Sequence, residues 1–253
     1  MPSSALYRDP RLYDLEYADK SEDVVYYAKL ASQAKGPVLE LACGNGRITF
    51  PIARTGAHVT GIDSEQAMLD SMASKLQLET PSVQRRVQFR RGDMRELTES
   101  PVYDLVILPF NAIHHCRDHR DFLAIFDGAR RALRPGGHFA MDCYLPDPLL
   151  YERDPSRRYE ERHFIDPRSG GPLTSWEMGS YDPLTQVHQV VYIYRDHAGV
   201  ETQATLNLRM FYPQELYALI DWAGFDVVHQ WSEFDGSPVE PRSLKLVALL
   251  RPR

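Results

Sequence analysis

The sequence predicts an α/β fold: a seven-stranded sheet with helices on both faces and an antiparallel β insertion after its fifth strand. Two observations predict it. Over the first 144 residues, short runs rich in β-branched residues alternate with longer helical stretches, which is typical of a parallel sheet covered by helices. From Thr174 onward, three strand-like segments follow one another with only turns between them, as in an antiparallel meander.

The predicted strands of the first half are short apolar segments. They cover residues 38–41, 58–62, 87–90, 103–108 and 137–144. The fourth is apolar almost throughout, which suits a strand that is buried on both faces. Helices are predicted between these strands. The first helix begins after the candidate N-cap Ser21, and the second runs from Gly46 to Gly56. The third begins near Ser64, and the fourth covers residues 121–133. Residues 134–137 hold a proline and two glycines and are predicted to form a turn.

The second half changes character. Residues 145–172 are rich in proline and charge and are predicted to be mostly loop. The meander and the closing elements follow. Strands are predicted over 174–181, 186–195 and 201–211, a helix over 213–222, and two final strands over 225–231 and 243–250. We therefore divide the chain into three parts. They are an N-terminal arm with an α/β ligand-binding core (1–144), an inserted loop and meander (145–212), and a segment that completes the core sheet (213–253).

Composition and charge limit the function classes. The 253 residues include three cysteines without C-x-x-C spacing, so a disulfide framework or a structural zinc site is not expected, and no other metal site is predicted. The net charge of −6 argues against generic nucleic-acid binding. No apolar run is long enough to span a bilayer, and the first ten residues lack the layout of a signal peptide. We expect a cytoplasmic protein with no membrane or nucleic-acid partner.

A glycine-containing turn is the strongest local motif. An apolar strand that contains Glu40 runs into Gly44-Asn45-Gly46 and then into a helix. Asp63 ends the second strand, where a carboxylate can accept hydrogen bonds from ribose hydroxyls. This much is common to nucleotide-binding folds. Thr49 stands where a dinucleotide fingerprint requires glycine or alanine. The Glu40 carboxylate suits an ammonium group, so the expected ligand carries an amino group where a dinucleotide carries pyrophosphate.

Four motifs in order give a family resemblance. They are residues 40–46, Gly61-Ile62-Asp63 with Met68, Gly92-Asp93-Met94, and Leu133-Arg134-Pro135-Gly136-Gly137. Together they resemble the class I S-adenosylmethionine-dependent methyltransferases, which have a Rossmann-like seven-stranded sheet. The resemblance covers about residues 36–144 and implies S-adenosylmethionine as the cofactor.

The resemblance also implies roles for individual residues. Gly44 and Gly46 would pack under the methionine moiety, and Asp63 would bind the ribose. Met68 would line the adenine, whose amino group Asp93 would bind with the Met94 backbone nearby. The remaining residues assigned to the cofactor site are Glu40, Leu108 and Tyr13.

The acceptor is expected at the carboxyl ends of the strands, beside residues 109–116. His114 and His115 in this segment are candidate general bases. The resemblance extends to small-molecule N-methyltransferases, including those that dimethylate amino sugars. These carry a Tyr-Asp pair like Tyr13-Asp14 and a histidine that aligns with His115. We therefore favour His115 as the catalytic base and Tyr13 as a catalytic or cofactor-binding residue. A purely turn-stabilising role is the alternative for both histidines.

Other side chains have weaker assignments. Tyr7 and Tyr13 are predicted to lie before the first helix. The resemblance implies that such a segment folds over the cofactor, and simple packing of the arm is the alternative. Arg47 is expected to point to solvent or to a neighbouring carboxylate. The charged residues 157–161 are expected to form a solvated loop that can act as a lid. Several residues of the meander are candidates to roof the acceptor site, with sheet core or a subunit interface as the alternative. They are Trp176, Tyr181, Tyr192, Tyr194, Arg209 and Phe211.

The expected activity is transfer of a methyl group from S-adenosylmethionine to an amine or hydroxyl of a small molecule by in-line displacement. An RNA or protein acceptor is an alternative. Residues 108–111, Leu-Pro-Phe-Asn, lack the Asn-Pro-Pro-Tyr pattern of enzymes that methylate base amino groups. A non-catalytic nucleotide-binding regulator and an NAD-dependent oxidoreductase are further alternatives. A homodimer is left open.

Overall fold

The computed structural model describes residues 5–253, so residues 1–4 of the predicted N-terminal arm lie outside it. The strands, in chain order, are β1 Val38–Leu41, β2 Val59–Asp63, β3 Val87–Arg91, β4 Tyr103–Leu108, β5 Leu133–Tyr144, β6 Tyr159–Ile165, β7 Pro172–Asp182, β8 Val187–Arg195, β9 Glu201–Arg209, β10 Phe225–Trp231 and β11 Lys245–Pro252. The helices are α1 Ala5–Arg8, α2 Pro10–Glu16, α3 Glu22–Ser32, α4 Thr49–Arg54, α5 Gln66–Leu76, α6 Pro81–Gln84, α7 His119–Ala132, α8 Pro148–Tyr151 and α9 Pro213–Trp222, with a 3₁₀ helix at Ala112–His115.

The larger sheet has seven strands in the order β3-β2-β1-β4-β5-β11-β10. The first five of these run parallel, β11 is antiparallel to β5, and β10 is antiparallel to β11. After β1 the chain adds β2 and β3 on one side of that strand. It then crosses back and adds β4 and β5 on the other side. The carboxyl ends of β1 and β4 therefore form the switch point at which open α/β sheets bind ligands.

Helices cover both faces of this sheet, as the sequence predicts. On one face α7 and α9 contribute the buried side chains Phe122, Phe126 and Leu216. On the other face α3, α4 and α5 contribute Tyr27, Ile52 and Met72, among others. Strand β1 is buried along its whole length, and β4 nearly so. Strands in this position read as continuous apolar runs because water reaches neither face.

A second, antiparallel sheet has the order β6-β7-β8-β9 and lies in sequence between β5 and α9. We call it the roof sheet. It confirms an antiparallel insertion after the fifth strand. The division of the chain at residues 144 and 212 into separate parts stays a prediction. The expectation that residues 145–172 are mostly loop is wrong for Tyr159–Ile165, because this charged edge strand pairs with β7.

Several predicted boundaries are also corrected. Helix α4 starts at Thr49, three residues after Gly46, and its Pro51 lies in the first turn, where a backbone N–H has no helical partner. Strand β5 starts at Leu133, so the predicted turn at 134–137 belongs to an irregular strand start. Helix α7 starts at His119, earlier than predicted, because the Asp118 side chain caps it.

The N-terminal arm, here residues 5–17, is helical. Tyr7 and Tyr13 therefore lie within α1 and α2, and not ahead of the first helix as predicted. The arm packs on the roof sheet, where Leu6 and Leu12 join a cluster that includes Leu173, Val190 and Leu206. None of the helices within residues 5–253 is long and apolar enough to cross a membrane.

Candidate active site

One cavity lies at the carboxyl ends of β1, β2 and β4. Its walls come from three parts of the molecule: the core sheet and its loops, the arm, and strand β9 of the roof sheet. Seven of the predicted site residues line it. They are Tyr13, Gly44, Asp63, Met68, Asp93, Met94 and His115.

The glycine turn after β1 forms one wall. Gly44 has a φ of +57°, and a Cβ there would lie 3.2 Å from Met68 Cε. The backbone of this turn can therefore approach a ligand where a side chain would fill the space. Gly46 has a φ of +90°, and a Cβ there would lie 2.5 Å from Phe50 Cε2. Packing against Phe50 thus requires Gly46, which does not itself line the cavity.

Asp63 closes the same wall from the end of β2. Its Oδ2 accepts a hydrogen bond from the Gly44 backbone N–H at 2.8 Å, and its Oδ1 accepts one from the Glu65 N–H at 2.8 Å. Burial raises the pKa of this carboxyl above its usual range, while the two N–H donors oppose that effect. The carboxylate therefore fixes the glycine turn and also faces the cavity, where it can accept from hydroxyl groups.

The acidic loop after β3 forms the opposite wall. Asp93 accepts from Arg95 Nε at 2.8 Å, and this contact lowers the pKa of the Asp93 carboxyl. Asp121 accepts from both Arg95 and Arg117, which also line the cavity. Each guanidinium here has a carboxylate partner, so this wall presents oriented polar groups with little net charge.

The arm and the loop after β4 meet at the cavity through Tyr7 and His115. A hydrogen bond of 2.8 Å joins the Tyr7 hydroxyl and His115 Nε2, and the two rings meet edge to face. Burial lowers the pKa of His115 to about 4, so its imidazole is neutral at pH 7. Burial raises the pKa of the Tyr13 hydroxyl to about 12, which keeps that group protonated. The Tyr13 and His115 side chains in this part of the cavity are therefore both uncharged at pH 7.

The neighbouring histidine points elsewhere. His114 is fully buried, and a 2.8 Å hydrogen bond joins its Nδ1 to the backbone carbonyl of Arg209 at the end of β9. Burial lowers the pKa of His114 to about 4. Successive residues of a 3₁₀ helix lie about 120° apart. His115 therefore faces the cavity, while His114 ties the 3₁₀ helix to the roof sheet.

Three predicted cofactor residues do not line the cavity: Glu40, Gly46 and Leu108. Glu40 is 1% exposed, and its Oε2 accepts from the Thr49 hydroxyl at 2.5 Å. Burial raises the pKa of Glu40 to about 8. Strand alternation turns this side chain towards α4, whereas Leu108 is buried against α7. Their assignment to the cofactor stays a prediction.

The roof contributes differently from the expectation. Strand β9 lines the cavity through Thr205, Leu206 and Asn207, and none of the six predicted roof residues does so. Sequence alternation alone does not reveal which strand of a sheet reaches a distant site. Of the charged residues 157–161, Arg158 pairs with Glu201, and residues 159–161 belong to β6. The expected solvated loop is confirmed for the exposed Arg157 and Arg158 and is wrong for Glu160 and Glu161, which lie in β6.

The loop after β4 holds residues that sequence reasoning missed. Phe110 and Asn111 have positive φ values of 57° and 60°, and the Phe110 ring lines the cavity. Their N–H groups donate to the buried carboxylate of Asp142. The sequence signal for this turn was Asp142, an acidic residue inside an apolar segment of β5. The expectation for Arg47 is confirmed: it pairs with the Asp23 carboxylate and also lies over the Phe110 ring.

Comparisons with known proteins agree with this geometry. Residues 38–137 match the model of a methyltransferase domain family. The chain is 27% identical to the cypemycin N-terminal methyltransferase of a Streptomyces species over 84% of this chain and 82% of that protein. The CcbJ methyltransferase of Streptomyces caelestis has a similar structure, with a TM-score of 0.76, 25% identity, and coverage of 92% of this chain and 89% of that one. The glycopeptide N-methyltransferase MtfA, solved with S-adenosylmethionine, shares the fold at a TM-score of 0.61 and 22% identity, over 94% of this chain and 96% of that one.

The sheet order, the cavity at its switch point and these matches define the class. The chain is a class I S-adenosylmethionine-dependent methyltransferase, and S-adenosylmethionine is its cofactor.

Proposed function

We propose that this enzyme methylates a neutral amine of a small organic acceptor, with Tyr7 and His115 at the acceptor end of the cavity. One observation carries the proposal: polar residues that suit the cofactor and the hydrogen-bonded Tyr7–His115 pair line the same cavity. Its volume is about 260 Å³, near the lower limit for small-molecule sites.

The residues at the polar end fit the cofactor. The Gly44 backbone leaves space that a Cβ would fill, which suits the methionine moiety. The Asp63 carboxylate suits the ribose hydroxyls, and Asp93 with Met94 suits the adenine edge. Met68 is an apolar, polarisable surface for the adenine ring. These assignments, with Tyr13 closing the site from the arm, form the cofactor part of the proposal.

Bound S-adenosylmethionine supplies an activated methyl group on a positively charged sulfur. The protein then needs to align the nucleophile with that methyl group and to exclude water. Tyr7, Tyr13 and Phe110 provide apolar walls that exclude water from the acceptor end. His115 is neutral at pH 7. Its Nε2, which the Tyr7 hydroxyl contacts at 2.8 Å, can accept a hydrogen bond from an amine N–H in place of that hydroxyl and so orient the nitrogen lone pair.

An amine acceptor is favoured over a hydroxyl. A neutral amine already carries the nucleophilic lone pair, whereas a hydroxyl needs a base that is strong enough to remove its proton. The lowered pKa of His115 makes the ring a weak base for that task. The similarity to the cypemycin N-terminal methyltransferase supports an amine, including the amino end of a short peptide.

The proposal is tested in two steps. Calorimetric titration with S-adenosylhomocysteine is expected to give a Kd in the micromolar range or tighter, which is about −8 kcal/mol. A panel of primary amines, short peptides and phenols is then incubated with S-adenosylmethionine, and methylated products are measured by mass spectrometry. Methylation of phenols alone would contradict the amine assignment.

For an accepted amine, His115→Gln is expected to lower kcat at least about 100-fold, with the Kd of S-adenosylhomocysteine changed less than about threefold. His114→Gln, which alters a histidine outside the cavity, is the matched control for stability. An unchanged kcat in His115→Gln would remove His115 from the reaction.

A further inference from the structure

A buried carboxylate near the carboxyl end of β5 contacts the turn that follows β4. Asp142 is 2% exposed. Its Oδ1 accepts from the Phe110 N–H at 2.8 Å, and its Oδ2 accepts from the Asn111 N–H at 3.0 Å. Oδ1 also accepts from the Tyr27 hydroxyl of α3 at 2.7 Å. Donors from two separate elements, the turn and α3, thus hold the carboxylate.

The turn has an unfavourable backbone conformation. Phe110 and Asn111 are consecutive residues with φ near +60°. This region is disfavoured for residues that carry a Cβ, and most of all for bulky ones such as phenylalanine. Successive N–H groups in a turn can converge on one anion, as they do here on Asp142. Without that acceptor, two half-buried N–H groups would lose their partner.

The same turn places two residues at the acceptor end. The Phe110 ring lines the cavity and meets the Tyr17 ring edge to face, with ring centres 4.8 Å apart. The 3₁₀ helix begins directly after Asn111 and ends with His115. A rotation of the backbone at Phe110 and Asn111 would therefore move both the Phe110 ring and His115.

We propose that Asp142 is a positioning residue for methyl transfer. Its carboxylate holds the turn at Phe110 and Asn111 in the left-handed conformation, and so sets the positions of the Phe110 ring and His115. Tyr27 anchors the carboxylate from the helix side. Asp142 does not line the cavity and acts through the turn. Only the catalytic role of His115 is taken from the proposed function; the hold on the turn is independent of it.

Hydrogen exchange on the full chain tests this directly. Asp142→Asn keeps the shape but replaces one acceptor oxygen with a donor. We expect amide exchange at Phe110 and Asn111 to accelerate at least tenfold, with β1 and β4 unchanged. Tyr27→Phe removes one donor to the carboxylate and is expected to have a smaller effect. Asp166→Asn is the matched control, since Asp166 is also buried and accepts from a backbone N–H, but in the connection between β6 and β7.

A spectroscopic measurement separates positioning from stability. In protein labelled with ¹⁵N-histidine, Asp142→Asn is expected to shift the His115 Nε2 resonance, because the Tyr7 hydrogen bond changes. Asp166→Asn is expected to leave that resonance in place. Unchanged exchange at the turn in Asp142→Asn would overturn the proposal. An equal increase across the turn, β1 and β4 would do the same, since it would show only a weakened core.

The outcome is distinguishable from failure of the proposed function. S-adenosylhomocysteine is titrated into the wild type in the same experiment. If the wild type fails to bind it while Asp142→Asn still releases the turn, the cofactor assignment fails and the role of Asp142 in holding the turn stands.

Discussion

At the scale of single residues, the Asp63 carboxylate has two tasks in one place. It accepts from two backbone N–H groups, and it faces the cavity between the glycine turn and α5. An acidic side chain at the end of the second strand of such a sheet suits ribose hydroxyls. In Asp63→Asn, an NH2 group replaces one carboxylate oxygen. This group cannot accept a hydrogen bond, so either a backbone N–H or a ligand hydroxyl would lose its acceptor.

We therefore expect Asp63→Asn to raise the Kd of S-adenosylhomocysteine about 10- to 100-fold, since a hydrogen bond to a charged group contributes about 1.5–3 kcal/mol. Calorimetric titration measures this. Asp70→Asn, on the exposed face of α5, is the control and is expected to leave the Kd unchanged. Equal affinities for wild type and Asp63→Asn would remove the ribose role.

Glu40, also a single residue, is expected to make the stability of the folded chain depend on pH. Burial raises the pKa of its carboxyl from 4.5 to about 8 in the folded chain. The folded state therefore holds the proton more tightly than the unfolded state does. Stability from this group is fully present below pH 4.5 and is lost as the pH rises from 4.5 to about 8.

A glutamine at position 40 cannot ionise, so Glu40→Gln is expected to flatten this loss. The melting temperature of the wild type should fall between pH 6 and pH 9 by more than that of Glu40→Gln. Scanning calorimetry in matched buffers measures both, and Glu96→Gln at an exposed position is the control. Parallel pH curves for wild type and Glu40→Gln would show that Glu40 is ionised throughout this range.

At the scale of elements, the arm is held by buried charge as well as by apolar contacts. Glu16 in α2 is 2% exposed and accepts from Arg162 Nη1 of β6 at 2.8 Å. Asp14 accepts from Asn45 beside the glycine turn and from Lys75 of α5, each at 2.8 Å. The arm therefore connects the roof sheet to the cofactor end of the core.

Removing one partner of the buried pair should loosen this connection. Arg162→Ala leaves the Glu16 carboxylate buried without its cation, which costs about 1–3 kcal/mol because the Arg162 side chain is 35% exposed. The expected fall in melting temperature is about 2–10 °C. The double variant Glu16→Gln with Arg162→Met removes both charges and is expected to lose less. If the double variant melts lower than Arg162→Ala, the ion pair itself stabilises the arm.

Elements also show what a sequence can reveal. Strands β1 and β4 were predictable because burial on both faces leaves an apolar run in the sequence. Strand β6 was not predictable, because all its side chains are exposed or half-buried. Its Arg162 pairs with Glu16, which is 146 residues away in the sequence. An edge strand stabilised by such distant partners looks like a charged loop.

The same reason divides the candidate site. Asp63 ends β2, and Gly44 and Asp93 come within three residues of the ends of β1 and β3, so strand prediction alone brings them to one edge of the sheet. Asp142 and the β9 residues reach the site through contacts that span tens of residues or more. No local pattern encodes those contacts, and they became visible only in the folded chain.

At the scale of the whole molecule, the cavity has walls from the core, the arm and the roof sheet. A ligand bound there touches segments that are far apart in sequence, so it should stabilise them together. Ligand at 100 times its Kd adds about 2.7 kcal/mol to the free energy of unfolding. For a chain of this size that corresponds to a rise of roughly 5–10 °C in melting temperature.

We expect S-adenosylhomocysteine at this excess to produce such a rise and to slow hydrogen exchange in four separate segments. They are residues 5–17 of the arm, 42–46 of the glycine turn, 92–95 after β3 and 109–116 after β4. NAD at the same concentration is the control for the dinucleotide alternative and is expected to change neither the melting temperature nor the exchange. A bound ligand slows exchange only in backbone segments that open less often in its presence. If the three core segments are protected and the arm is not, α1 and α2 take no part in closing the site.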